Sequence, residues 1–142
     1  MTTFTTSRKI PASAEQIFAA FSHPERLSRW WGPAGFTNTF NVCEFKKGGR
    51  WSFVMHGPDG RKYPNESVFA EIESPAKIVI QHVSEPKYRL TIILTSSAAG
   101  MVISWPQVFE NANMSRIQHI LIPANEQNLD RLSAEVLHQP GD

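Results

Sequence analysis

From Phe36 to Phe109 the chain keeps returning to strand periodicity, and only a few residues separate one strand-like stretch from the next. Nothing else in the sequence limits the fold as much. Parallel neighbours need a crossover of about a dozen residues or more, and these links are shorter. The sheet must therefore be antiparallel. Arg50 to His56 shows the alternation plainly, with Trp51, Phe53 and Met55 on one face and Arg50, Ser52 and His56 on the other. Phe36 to Phe45 precedes it. Ser67 to Ile72, Lys77 to Val83, Tyr88 to Thr95 and Met101 to Phe109 follow. Lys46-Lys47-Gly48-Gly49 and Pro58-Asp59-Gly60 read as turns; in the second, Pro presets φ, Asp bonds locally and Gly accepts a positive φ.

Helical signals lie on either side of this block. Thr3 to Ile10 suits a first strand, which Pro11 stops. Ser13 is a helix N-cap, and Gln16 three residues on completes a capping box. Ile17 and Phe21 then share one helical face. A second short helix starts at Pro24, where the missing N–H costs nothing, and runs to Trp30-Trp31 before Gly32-Pro33 ends it. The tail from Ala112 to Gln139 carries Ile117, Leu121, Asn125, Leu129, Leu132 and Val136 as one stripe at helical spacing. Pro123 lies within it and predicts a kink or a break. Pro140-Gly141 ends it. A lone sheet must cover its apolar face, and this tail is the only element large enough to do so.

Residues 1–142 thus read as a single α+β domain: a strand, two short helices, about six more strands and a long C-terminal helix. A chain of this length buries about 70% of its unfolded surface, enough for a real core. The net charge of +1 provides no long-range field for nucleic acid or an anionic membrane. Leu90 to Phe109 carries no charge and is long enough to cross a bilayer as a helix, but its threonines, serines, Gly100 and Pro106 fit a buried hairpin better. The N-terminus lacks the apolar core of a secretion signal, and one cysteine, Cys43, forms no internal disulfide. The expected location is the cytoplasm, the expected state a monomer or homodimer. No nucleotide, flavin or metal motif calls for a cofactor.

The element order resembles the helix-grip fold of the START-like (SRPBCC) superfamily. Within it the sequence is similar to proteins named for homology to the activator of the heat-shock-protein-90 ATPase. The resemblance is carried by Ile10 to Phe18, by His23-Pro24-Glu25-Arg26-Leu27 leading to Trp30-Trp31-Gly32-Pro33, and by Phe45 to Trp51. Asp59-Gly60, Ala70-Glu71-Ile72, Trp105-Pro106-Gln107-Val108-Phe109 and Asn125 to Leu132 continue it over nearly the whole chain. It implies a curved antiparallel sheet of about six or seven strands wrapped around the long helix, with a cavity between them. Superfamily members use that cavity for lipids, sterols, polyketides, hormones or aromatic compounds. A small apolar or aromatic ligand is accordingly the expected partner. A chaperone contact and a stress-response role follow from the family name, and a cyclase- or hydrolase-like reaction from other superfamily members. No catalytic constellation is evident, so binding without an assigned reaction is the expected function.

The candidate ligand-binding residues are Trp30, Trp31, Trp51, Phe53, Met55, His82, Trp105, Gln107, Phe109, Asn125 and Leu129. Each has a structural alternative. Trp30 and Trp31 either rim a ligand site, or one anchors the short helices while the other lies at the surface. The inward aromatics either line a pocket or fill a core. His82 shares a face with Ile78 and Ile80, so it is either a polar group in an apolar cavity or a bonded core histidine. Asn125 either contacts ligand or satisfies backbone groups freed by Pro123. Glu71 and Glu73 read as an exposed charged face or an acid–base pair, and Arg89 as their cross-strand partner or a ligand contact. Cys43 reads as a small buried hydrophobe. His138 suits a helix C-terminus.

Overall fold

The computed structural model describes residues 2–137. His138, Gln139 and Pro140-Gly141, where the sequence predicts the helix end, lie outside the described residues. The strands are β1 (Thr2–Phe4), β2 (Ser7–Ile10), β3 (Thr37–Cys43), β4 (Arg50–His56), β5 (Lys62–Glu73), β6 (Lys77–His82), β7 (Tyr88–Ser97), β8 (Gly100–Ser104) and β9 (Gln107–Phe109). The helices are α1 (Ala14–Ser22), α2 (Pro24–Trp30) and α3 (Gln118–Leu137), the last preceded by a 3₁₀ segment, Ala112–Ile117. The architecture is the α+β helix-grip arrangement, with every strand pair antiparallel.

The sheet has nine strands, in the order β1-β9-β7-β6-β5-β4-β3, with β2 joined through β8 to β7. Six or seven were expected. The difference comes from two strands that each divide. Thr3 to Ile10 divides at residues 5–6, where the Thr6 carbonyl accepts from the Trp105 amide. Met101 to Phe109 divides at Pro106, which has no N–H to give a ladder. β1 then pairs with β9, and β2 with β8. β5 also begins five residues earlier than expected, at Lys62 rather than Ser67. Pro64 hides that start. It pairs with Val54 of β4, while β6 reaches only as far as Ser67, so the other edge of β5 is open at Pro64.

The capping box forms as read: the Gln16 amide donates to Ser13 Oγ and the Ser13 amide to Gln16 Oε1. Pro24 opens α2. Pro123, by contrast, does not break the tail helix, which runs unbroken from Gln118 to Leu137. The irregular 3₁₀ turns come before it instead. One core joins the inner sheet face (Trp51, Phe53, Phe69, Ile80) to α1, α2 and the second half of α3. The tail stripe divides at its middle. Leu129, Leu132 and Val136 are buried, whereas Ile117, Leu121 and Asn125 are only partly covered.

Hydrogen bonds and ion pairs at the middle of α3 and near its C-terminal end hold it in place. Arg8 of β2 bonds Glu126 at 3.0 Å and Asp130 at 2.6 Å, and the Thr6 hydroxyl donates to Glu126. Arg26 and Arg29 of α2 converge on Glu135 at 2.9 and 3.0 Å. Burial works to raise the Glu135 pKa, but the bonds from Arg29 and Arg26 outweigh it and hold the carboxyl below its ordinary value.

Candidate functional site

Where the first half of α3 leaves the sheet uncovered, a cavity of about 640 Å³ opens. Leu121, Ala124, Asn125 and Asn128 of α3 face it, with Met114 and Ile117 from the 3₁₀ segment. Leu121, Ala124, Asn125 and Asn128 are spaced three, one and three apart, so a single helical face supplies that wall. The opposite wall is the sheet: Tyr63 and Asn65 of β5, His82 of β6, Tyr88 and Leu90 of β7, Gln107 and Phe109 of β9. Trp31, Gly32, Pro33 and Phe36, which lead from α2 to β3, form a third side. The lining is predominantly apolar. Its charged members are Lys62 and Glu85, both exposed and of opposite sign. Cavities of this volume accept drug-sized molecules, for which about 300–1,000 Å³ is usual.

The sequence candidates separate into two groups. Trp31, Met55, His82 and Trp105 line the cavity, as do Gln107, Phe109 and Asn125. Trp30, Trp51, Phe53 and Leu129 do not; they are packed in the core at 2% exposure or less. Trp30 donates its indole N–H to the Ala20 carbonyl at 3.0 Å, and its ring meets Phe21 edge-on at 4.9 Å. Trp51 stacks on Phe53 and Phe69. The expectation that one of the paired tryptophans lies at the surface is corrected: Trp30 is 1% and Trp31 4% exposed.

Asn125 donates to Gln107 Oε1 at 3.0 Å, tying α3 to β9 across the cavity. Asn128 and Tyr88 were not singled out in the sequence. The spacing from Leu121 through Asn125 contained the signal for Asn128. Tyr63 and Asn65 were missed because β5 was read as starting at Ser67. The remaining polar candidates are surface features. Arg89 reaches Glu71 at 3.1 Å, and Lys77 bonds both Glu71 and Glu73. Cys43 is half-buried, and burial pushes its thiol up to about 11. Among the described residues no three His, Cys, Asp or Glu side chains are grouped to hold a metal.

His82 is buried on the cavity wall, its ring stacked on Tyr88 at 4.6 Å. Its Nδ1 lies 2.8 Å from the Pro86 carbonyl oxygen, which only accepts, so Nδ1 carries a proton. Its Nε2 lies 2.6 Å from Asn65 Oδ1, whose own Nδ2 donates to the Tyr63 carbonyl. That pairing favours a second proton on the ring, while desolvation opposes the charge. Desolvation prevails, and the His82 pKa falls below its ordinary value. Burial likewise raises the Tyr88 phenol.

The unfolded chain accepts the His82 proton at about pH 6.5, the folded ring only at lower pH. The stability from the neutral ring is complete above about pH 6.5 and is lost as pH falls through the lowered folded pKa. The melting temperature is therefore expected to fall between pH 7 and pH 5, and His82→Gln to flatten that slope. An equal slope in thermal melts of the variant would assign the effect elsewhere.

A curved antiparallel sheet gripping a C-terminal helix, with a largely apolar cavity between them, defines a helix-grip protein. More narrowly, the chain belongs to the family described as Activator of Hsp90 ATPase homolog 1-like protein, which it matches over residues 11–136. The structure is similar to that of a protein from Chromobacterium violaceum at a TM-score of 0.87 and 21% identity, covering 98% of this chain and 100% of that one. A protein from Arthrobacter aurescens superposes with a TM-score of 0.86 at 23% identity, covering 97% and 87%. The AHSA1 protein from Silicibacter pomeroyi gives 0.77 at 18%, covering 95% and 97%. At these identities the likeness concerns the fold. Among curated proteins nothing matches. No helix among the described residues is long and apolar enough to cross a membrane.

Proposed function

We propose that this protein binds a small, largely apolar or aromatic molecule in the cytoplasm, in the cavity between α3 and the sheet, with no reaction assigned to it; a cyclase- or hydrolase-like reaction in the same cavity and a chaperone contact are the alternatives. The observation behind this reading is the division of α3. Its second half is packed into the core, and its first half stands over an open space of about 640 Å³ walled mainly by apolar side chains. A chain optimised only for stability would fill that space, because voids forfeit dispersion contacts. The chaperone reading would gain from an exposed tryptophan on an apolar patch, and Trp30 and Trp31 are both buried. The enzyme reading rests on His82, and both of its ring nitrogens already face protein groups.

Native mass spectrometry of the freshly purified protein, followed by amide NMR titration with fatty acids, sterols, flavonoids and aromatic acids, tests the reading. The expected result is a co-purifying mass, or saturable shifts at Leu121, Asn125, Gln107 and Tyr88. A clean apo mass with no shifts across the panel would overturn it.

A further inference from the structure

The polar groups of the cavity are unevenly matched. Trp31 and Trp105 are 4% and 1% exposed and lie 5.8 Å apart on its wall. Neither indole N–H bonds a protein group among the described residues. Nor is either among the buried orphan donors, unlike the sealed N–H of Trp51. Both N–H groups therefore open onto accessible space, and the space these two buried rings border is the cavity. An indole nitrogen only donates.

Asn128 adds a third donor. Its Oδ1 accepts from the Gly32 amide at 3.1 Å. A backbone N–H only donates, so the side-chain amide is held with its oxygen towards Gly32 and its Nδ2 turned away. That Nδ2 has no protein acceptor among the described residues and is not sealed either, although Asn128 is 6% exposed. Gly32 follows Trp31 in the chain, so Asn128 and the two indoles belong to the same buried end of the cavity. Donors left without acceptors in a desolvated site are costly, and a bound molecule that supplies an acceptor removes the cost.

A charged acceptor would go uncompensated there. The cavity's charged lining residues are Lys62 and Glu85, which are exposed and opposed in sign, and the nearby Arg131 guanidinium is already spent on the Trp31, Gly32 and Pro33 carbonyls, so no unengaged cation lines the buried end to offset a carboxylate. Resting on the binding reading above, we propose that the buried end of the cavity holds the carbonyl oxygen of an uncharged aromatic molecule, taken by the N–H groups of Trp31, Trp105 and Asn128.

Three probes of one skeleton test this: 2-acetylnaphthalene, 2-isopropylnaphthalene and 2-naphthoate. Tryptophan fluorescence gives affinities, and the indole N–H resonances of the four tryptophans report contact. The ketone is expected to bind at least tenfold more tightly than the other two and to shift two indole signals downfield. Asn128→Asp keeps the oxygen that accepts from Gly32 and replaces the donor with an acceptor. It should lower ketone affinity about tenfold more than it lowers hydrocarbon affinity. Trp105→Phe, which removes one donor and keeps a ring, should act in the same direction if Asn128→Asp folds poorly. Equal binding of ketone and hydrocarbon would overturn the acceptor inference and leave the binding reading intact. Tightest binding of the carboxylate would overturn the uncharged class. If no probe binds, the binding reading fails, and this inference with it.

Discussion

Arg131→Met is expected to lower the melting temperature by about 10 °C, corresponding to about 3 kcal/mol for a chain of this size. Arg131 lies on α3, and its guanidinium bonds no carboxylate among the described residues. It donates instead to five backbone carbonyls: Nη1 to Trp31, Gly32 and Pro33 at 3.3, 3.0 and 2.8 Å, and Nη2 to Arg29 and Phe36 at 2.8 and 2.9 Å. Residues 29–36 lack a strand or helix ladder of their own beyond the end of α2, so this fork takes the place of one. Asn128 and Gln127 assist from the same helix by accepting from Gly32 and Ala34. Bonds to a charged donor contribute about 1.5–3 kcal/mol each when the partner would otherwise stay buried and unmet. Water replaces part of this here, because the segment lies near the surface.

Methionine keeps the apolar stem, so the loss isolates the fork. Arg131→Lys restores the charge but not the planar geometry, and should recover less than half of the loss. Since Trp31, Gly32, Pro33 and Phe36 form one side of the cavity, amide exchange across 31–36 should rise with the destabilisation. A melting temperature within about 3 °C of the parent would show that the clamp does not hold this segment.

This clamp also marks the limit of what the sequence discloses. Its partners are carbonyl oxygens 95 to 102 residues away, and a backbone acceptor has no residue-type signature. Local signals were legible. The Ser13–Gln16 capping box, Pro24 at the start of α2 and the alternation of Arg50 to His56 each depend on neighbours in the chain. The antiparallel sheet followed from short links alone. Pro64 and Pro106 misled for one physical reason. A proline lacks a donor, but whether that matters depends on whether a partner strand lies on its N–H side. At Pro64 β6 has already ended, so the strand continues; at Pro106 the strand divides.

The cavity was legible only in outline. Trp51, Phe53 and Met55 share a face, yet the first two are packed among rings and Met55 alone lines the open space. Periodicity assigns the face. Whether the space in front of it is filled depends on volumes contributed by α3, more than sixty positions along the chain. The tail stripe shows the same limit: Leu121 and Leu129 look alike in sequence, but one faces the cavity and the other is at 0% exposure.

Trp51→Ala is expected to cost about 4 kcal/mol. The indole is at 0% exposure, stacked on Phe53 at 4.4 Å and Phe69 at 5.4 Å, with Trp31 at 4.9 Å and Phe40 at 5.5 Å meeting it at steep angles. Four rings from four parts of the chain thus lose a common neighbour, and close packing limits how far they can collapse into the gap. Trp51→Phe should behave differently. It keeps a ring in the stack and removes the indole N–H, a buried donor with no partner among the described residues. Lost volume and a relieved orphan donor oppose each other, so the cost should stay below about 1.5 kcal/mol. Urea unfolding followed by far-UV circular dichroism measures both, and an unchanged slope with denaturant confirms that the comparison concerns the native state. A Trp51→Ala loss within about 1 kcal/mol of the Phe variant would mean that the ring stack yields to fill the void, and that this part of the wall is soft enough to reshape the neighbouring cavity through Trp31.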